Sequence, residues 1–372
     1  MSKYTFIHSD ELDQGGYPDS CPFNSKRSGM TRKSLESIGL LDNSDIRIIL
    51  PIKAVREELE AFHSSRYLDA ILAVEKGDLS MDSLSMGLGT PDCPIFSGMY
   101  DYVALACGGS ITGARIILNQ EADVVFNPSG GFHHAGPELA SGFCYMNDVV
   151  LAAQMMTGAG KRVLFMDVDV HHGDGVQNAF YDRCDVMTIS LHENGRFLFP
   201  GTGFANETGS GDGAGYCLNI PLPPGTYDEA YYRAFTQIAL PAAKEYDPDV
   251  IILELGMDAL SGDPLAHLEL TNNLYVDVID NIISMGKPIL ATGGGGYNIE
   301  NTVRGWALAW KILSRQDDEY DAAMMMDGVM MQNTEWAGGL RDRLPVISNK
   351  TRNAIEPEID RIIENYQCPP NV

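Results

Sequence analysis

Basic residues are scarce in this chain: 26 Lys and Arg stand against 51 Asp and Glu, a formal charge of −25 over 372 residues. A surface so negative repels phosphate, which argues against a nucleic-acid binder. It suits cationic partners such as lysine-rich proteins or amines, and it also simply keeps a protein in solution. Paired cysteines are lacking as well. The seven cysteines, at 21, 93, 107, 144, 184, 217 and 368, are odd in number, scattered, and form no CxxC. That pattern argues for reduced thiols in a cytoplasm, and against a disulfide frame or a Cys-type zinc finger. No apolar run approaches 18 residues, so neither a transmembrane helix nor a membrane partner is expected. The opening stretch MSKYTFIHSDELDQ has no long apolar core of the kind a secretion signal carries.

Core material is ample, with 44% hydrophobic residues. Aliphatic, β-branched runs at 47–51, 124–127, 162–170, 186–192, 250–256 and 287–293 read as strands. Helical patterns fill 97–119, 145–157, 228–246, 272–285 and 299–314. This alternation predicts βαβ units and an α/β fold with a parallel sheet covered on both faces. Ligands in such folds bind outside the carboxyl ends of the strands, so polar residues just after each strand carry the most information. The Gly- and Pro-rich segment 192–226 reads as a long surface loop. Residues 316–372 change character, with AAMMMDGVMM at 322–331 read as flexible core filling and a helix near 351–366. They are expected to pack on the main body as an appendage.

The chain has eight histidines, and four of them form two HH pairs, each after an expected strand. In MDVDVHHGDG (166–175), alternation along a strand puts Asp167, Asp169 and His171 on one side. Two carboxylates and an imidazole there make a ready shell for a divalent metal. Asp258, in VIILELGMDALSGDP, follows another apolar strand and completes an Asp169–His171–Asp258 ligand set with room for water, the pattern of a catalytic zinc site. Iron(II) also suits a mixed Asp/His set. In NPSGGFHHAGPELASGFCYMND (127–148), glycines turn the chain so that His133 and His134 approach the metal, as general acid and base. Asp167 and Asp174 are the carboxylates available to fix their tautomers. In ATGGGGYN (291–298), four glycines present Tyr297, whose hydroxyl can donate to a developing oxyanion.

These segments together resemble the histone deacetylase family, especially the bacterial acetoin-utilisation-type deacetylases. HHAGPELASGFCYMND, DVDVHHGDGVQNAFY, FPGTG, GMDALSGDPLAHLELT and TGGGGYN stand in the family's order and approximate spacing, and the likeness spans roughly residues 1–315. It implies a single arginase/deacetylase-like domain with an eight-stranded parallel sheet flanked by helices, followed by the 316–372 appendage. It also implies zinc-dependent hydrolysis of N-ε-acyl-lysine in a protein or peptide, with small acylated amines as a further substrate class. Carried over by position, Asp169, His171 and Asp258 resemble the zinc ligands. His133 resembles the first histidine, held by Asp167, and His134 the second, held by Asp174 and acting as general base. Tyr297 resembles the carbonyl-polarising tyrosine. Gly142, Phe143 and Phe199 match the acyl-lysine tunnel, Asp92 a rim aspartate that grips substrate backbone, and Arg27 an arginine beneath the zinc. Asp167, Asp169, His171, Ser190 and Leu191 resemble a structural potassium site, and Phe180, Arg183, Val186 and Tyr216 a second one.

Three other readings are weighed against this one. The first is an acetylpolyamine amidohydrolase of the same superfamily. Polyamine-selective members carry an acidic gate residue after the GDP of the third motif, where this chain has Leu265. The second is an arginase-type binuclear manganese hydrolase, which needs more carboxylates around these strands. The third is an acyl-lysine binding module without turnover.

Overall fold

The computed structural model describes residues 3–316 and 339–366. Eight strands form one sheet: β1 (Tyr4–Ile7), β2 (Ile46–Ile49), β3 (Val124–Asn127), β4 (Val163–Asp167), β5 (Val186–Glu193), β6 (Cys217–Leu222), β7 (Val250–Glu254) and β8 (Ile289–Thr292). Every pairing is parallel, in the order β2-β1-β3-β8-β7-β4-β5-β6. The continuous apolar runs follow from burial on both faces. Leu164, Met166, Ile251, Leu253, Ile289 and Ala291 pack on one side against Trp306, Trp310, Ile279 and Phe235. Val163, Phe165, Val250, Ile252 and Leu290 pack on the other against Ala114, Ile117, Val150 and Met156. Alternate residues of a single strand thus enter different cores.

Two strands are absent from the sequence expectation. β1 is a four-residue YTFI segment, too short to stand out by periodicity. β6 lies inside the 192–226 stretch read as a loop; all six of its residues are buried, and Pro221 sits on an edge strand, where a missing N–H costs no ladder bond. The strand expected over 162–170 ends at Asp167. There Asp167 Oδ1 accepts from Asp169 N (3.0 Å) and Asp169 Oδ1 from His171 N (2.8 Å), so side chains take the backbone bonds and peel the chain off the ladder. The 228–246 helix is interrupted by one π turn at Phe235–Ala239. The helix expected near 351–366 spans Asn349–Asn365 and buries Ile355 and Ile359 in the main core. The methionine cluster at 322–331 lies outside the described residues.

The apolar strands end on a polar rung. Asn127, Thr292, Glu254 and Asp167 are the last residues of β3, β8, β7 and β4, and they are in register across these four central strands. All four are fully buried. The chemistry-bearing loops start from this rung.

Candidate active site

Each reactive side chain is set by the turn that follows one of those four strands. After β3, Gly131 N and Phe132 N donate to Asp148 Oδ1 (3.1 and 2.7 Å), and Ser110 Oγ donates to Asp148 Oδ2 (2.5 Å), fixing the loop that carries the histidine pair. His133 Nδ1 lies 3.0 Å from Asp167 Oδ2, His134 Nδ1 lies 2.7 Å from Asp174 Oδ1, and the two Nε2 atoms face each other at 3.0 Å. After β4 and β7, His171 Nδ1 sits between Asp169 Oδ1 (3.2 Å) and Asp258 Oδ2 (3.0 Å). After β8, Asp263 Oδ2 accepts from Tyr297 N (2.7 Å) and Asn298 N (3.3 Å), and the Tyr297 ring lies 6.3 Å from that of His171. Gly295 and Gly294 are required here: a Cβ on Gly295 would run into the Asp258 carboxylate and one on Gly294 into that of Asp169, and Gly294 has φ +125°.

Burial sets the electrostatics. Asp167, Asp169, Glu254 and Asp258 are all sealed from solvent, and each isolated buried carboxylate costs several kcal/mol, on the order of what a whole domain can spare. Burial and Asp169 push Asp258 up to about 7. Burial opposes the charged form of His171, yet Asp169 and Asp258 outweigh it and raise the imidazole to about 10. His133 is likewise raised against burial by Glu254 and Asp167, whereas burial and the neighbouring His133 hold His134 down at about 4. The two imidazoles are thereby driven in opposite directions, His133 up and His134 down, with their Nε2 atoms 3.0 Å apart. Burial, then Asp258 and Asp169, raise Tyr297 well above the usual phenol range, so its hydroxyl keeps its proton.

The Asp169–His171–Asp258 set fits a divalent ion. Its three donor atoms lie within 4.8 Å of one another. Tetrahedral donors about 2.0–2.2 Å from zinc stand roughly 3.3–3.6 Å apart. Backbone amides hold the carboxylates in place, Gly295 N on Asp169 Oδ2 (2.6 Å) and Val170 N on Asp258 Oδ1 (3.0 Å). A proton on His171 offsets only one of the two carboxylate charges, and a divalent ion would take its place.

The remaining expected residues line the approach or the floor. Gly142 has φ +53°, and a Cβ there would press into His134 and Phe199. Phe143, at φ +66°, places its ring 5.6 Å from Tyr297, with Tyr17 Oη donating to its carbonyl (2.7 Å). The Phe199 ring lies 5.0 Å from His134 and is 40% exposed, so it stands at a mouth. Arg27 is buried below, donating to Gly296 O (2.6 Å) and Gly294 O (3.1 Å) between Phe23 and Trp306. Asp92 is exposed and Leu265 half-buried, each on its own loop. Ser190 is the register partner of Asp167, and its Oγ pairs with His192 Nδ1 (2.9 Å), with Leu191 buried beside it. Away from the site, Arg183 lies over Phe180 and bonds Asp185, just before Val186, and Tyr216 packs on Tyr246.

Three carboxylates that the sequence reading passed over also belong here. Asp148 and Asp263 hold the His and Tyr loops as described. Glu254 Oε1 lies 3.1 Å from His133 Nδ1 but off a hydrogen-bonding angle, leaving both carboxylate oxygens unbonded. Burial raises Glu254 far above the carboxylate range. A charge interrupting the apolar run VIILELG was the available signal.

Residues 21–313 match the histone deacetylase domain family. The acetoin utilization protein AcuC of Bacillus subtilis is 40% identical over 318 residues, covering 83% of this chain and 82% of that protein. Histone deacetylase 8 of Danio rerio is 37% identical over 306 residues, covering 81% and 79%. Among solved structures, a histone deacetylase homologue in complex with SAHA superposes with a TM-score of 0.84 at 28% identity, over 97% of this chain and 99% of that one. A homologue from Aquifex aeolicus does so at 0.81 and 27%, over 97% and 100%.

Proposed function

The chain belongs to the histone deacetylase family and is a hydrolase, and from that premise we propose that it removes acyl groups from the ε-amine of lysine in proteins or peptides. The observation that carries this reading is the convergence of the buried Asp169–His171–Asp258 donor set, two imidazoles each oriented by its own carboxylate, and the Tyr297 phenol. Zinc held by Asp169, His171 and Asp258 would polarise the amide carbonyl and lower the pKa of a water towards about 7.

The chain's own groups do the rest. His134, neutral and oriented by Asp174, takes the proton of the attacking water at Nε2 and returns it to the departing lysine amine. His133, oriented by Asp167, faces the developing negative charge. The Tyr297 hydroxyl donates to the oxyanion, one such donor contributing about 3–4 kcal/mol. Phe143 and Phe199 flank the four-methylene stem, each buried CH2 contributing about 0.8 kcal/mol. This selects a long aliphatic side chain without reading the rest of the peptide. Arg27 lines the floor where the acyl product is released, and Asp92 holds substrate backbone at the rim. Asp167, Asp169, His171, Ser190 and Leu191 are proposed to hold potassium, and residues 1–315 to be the deacetylase domain with 316–372 as its appendage. Among the described residues no helix is long and apolar enough to cross a membrane, in keeping with a proposed cytoplasmic location.

Leu265, apolar where an acidic gate would greet a polycation, favours acyl-lysine over acylpolyamine. The test is turnover on an acetyl-lysine peptide against acetylspermidine by zinc-loaded protein. A higher kcat/KM on the peptide is expected, and a higher one on acetylspermidine would replace this reading with the polyamine one.

A further inference from the structure

A second Asp–Asp–His cluster lies outside this site, where β1 ends. His8 follows β1 directly, and a tight turn, with Leu12 N donating to Ser9 O (3.0 Å) and Asp13 N to Asp10 O (3.3 Å), folds Asp13 back towards it. His8 Nε2 stands 3.5 Å from Asp13 Oδ2 and 3.7 Å from Asp10 Oδ1. Neither His8 ring nitrogen makes a hydrogen bond, although the side chain is only 2% exposed, and Asp13 Oδ1 is also buried and unbonded. Each such orphan is a desolvation cost that a bound cation would relieve. The three donor atoms lie within 4.8 Å of one another. The two separations from His8 are close to the roughly 3.3–3.6 Å edge of a tetrahedron of N and O ligands around zinc.

We propose that His8, Asp10 and Asp13 form a second divalent-cation site, of zinc-type chemistry and structural role, separate from the catalytic set. One imidazole and two carboxylates are the donor types such an ion takes. Asp13 fits against Gly29, where a Cβ would strike its carboxylate, so the ion ties the end of β1 to the helix Arg27–Ser37. That helix begins with the arginine that braces Gly294 and Gly296. Arg32 Nη2 donates to Asp10 Oδ1 (3.2 Å), which orients the carboxylate but sets a positive charge beside the site. This ion therefore binds more weakly than the catalytic one and loads second.

The test is equilibrium dialysis of chelator-stripped full-length protein against Zn2+, with elemental analysis. Wild type is expected to take up two equivalents per chain, His8→Ala one and Asp10→Asn one. Asp10 is 76% exposed, so Asp10→Asn removes a ligand without touching the core. Asp258→Ala should keep one equivalent, and a Zn2+-dependent rise in its Tm should vanish when His8→Ala is added. A single equivalent in wild type, or the same uptake in wild type and both variants of this cluster, would overturn the proposal.

Discussion

Two Asp–Asp–His triads hang from carboxyl ends of one sheet, and their surroundings differ. Asp169, His171 and Asp258 are sealed, and backbone amides of Gly295 and Val170 hold the carboxylates. His8 is buried too, but Asp10 reaches solvent and is held by the flexible Arg32. The same donor types thus yield a centre with strong fields and fixed geometry in one place, and a screened clamp in the other. The sealed triad also faces two imidazoles and a phenol from neighbouring strands; the other faces the start of a helix.

Substitutions should widen this contrast in graded steps. Asp258→Ala is expected to abolish zinc retention at the catalytic set and cut turnover more than about 10³-fold, as only oxyanion donors and binding remain; full zinc content with near-normal kcat would break the comparison. Tyr297→Phe should keep its zinc and KM and lose roughly 10²–10³-fold in kcat, the worth of one oxyanion donor. Asp174→Asn should cost about 10–100-fold, as loss of an orienting partner does. It should also move the acidic limb of kcat/KM. With neutral His134 as the proposed base, activity is expected to rise with pH through about 4 and to be lost below it. Burial and His133 hold that value down and Asp174 lifts it, so removing Asp174 shifts the limb to lower pH. The smallest effect belongs to the outer triad: Asp10→Asn should change kcat less than about twofold, measured at saturating Zn2+, since no atom of Asp10 touches the reacting groups.

The inner triad is legible in sequence because period-2 spacing in DVDVHH and a polar residue after an apolar strand are local patterns. The central strands are legible for the same reason: burial on both faces leaves unbroken apolar runs. Glu254 hides inside such a run, and only the register of β4 with β7 places it beside His133. Asp148 and Asp263 reach their targets through backbone amides of distant loops, a relation that spacing along the chain does not encode. β6 is obscured by its glycine- and proline-rich flanks. His8 is a lone histidine in sequence, and acquires partners only when the turn after β1 brings Asp13 back.

The reactive groups all descend from four adjacent strands joined in one ladder, whereas Asp92 and Phe199 come from loops outside those four turns; Leu265 shares the loop after β7 with Asp258 and Asp263. Appetite and chemistry are consequently separable at Asp92 and Phe199 and joined at Leu265. If residues 92 and 199 meet substrate as proposed, a library randomised at those two positions is expected to change specificity while the strand-borne frame stays intact.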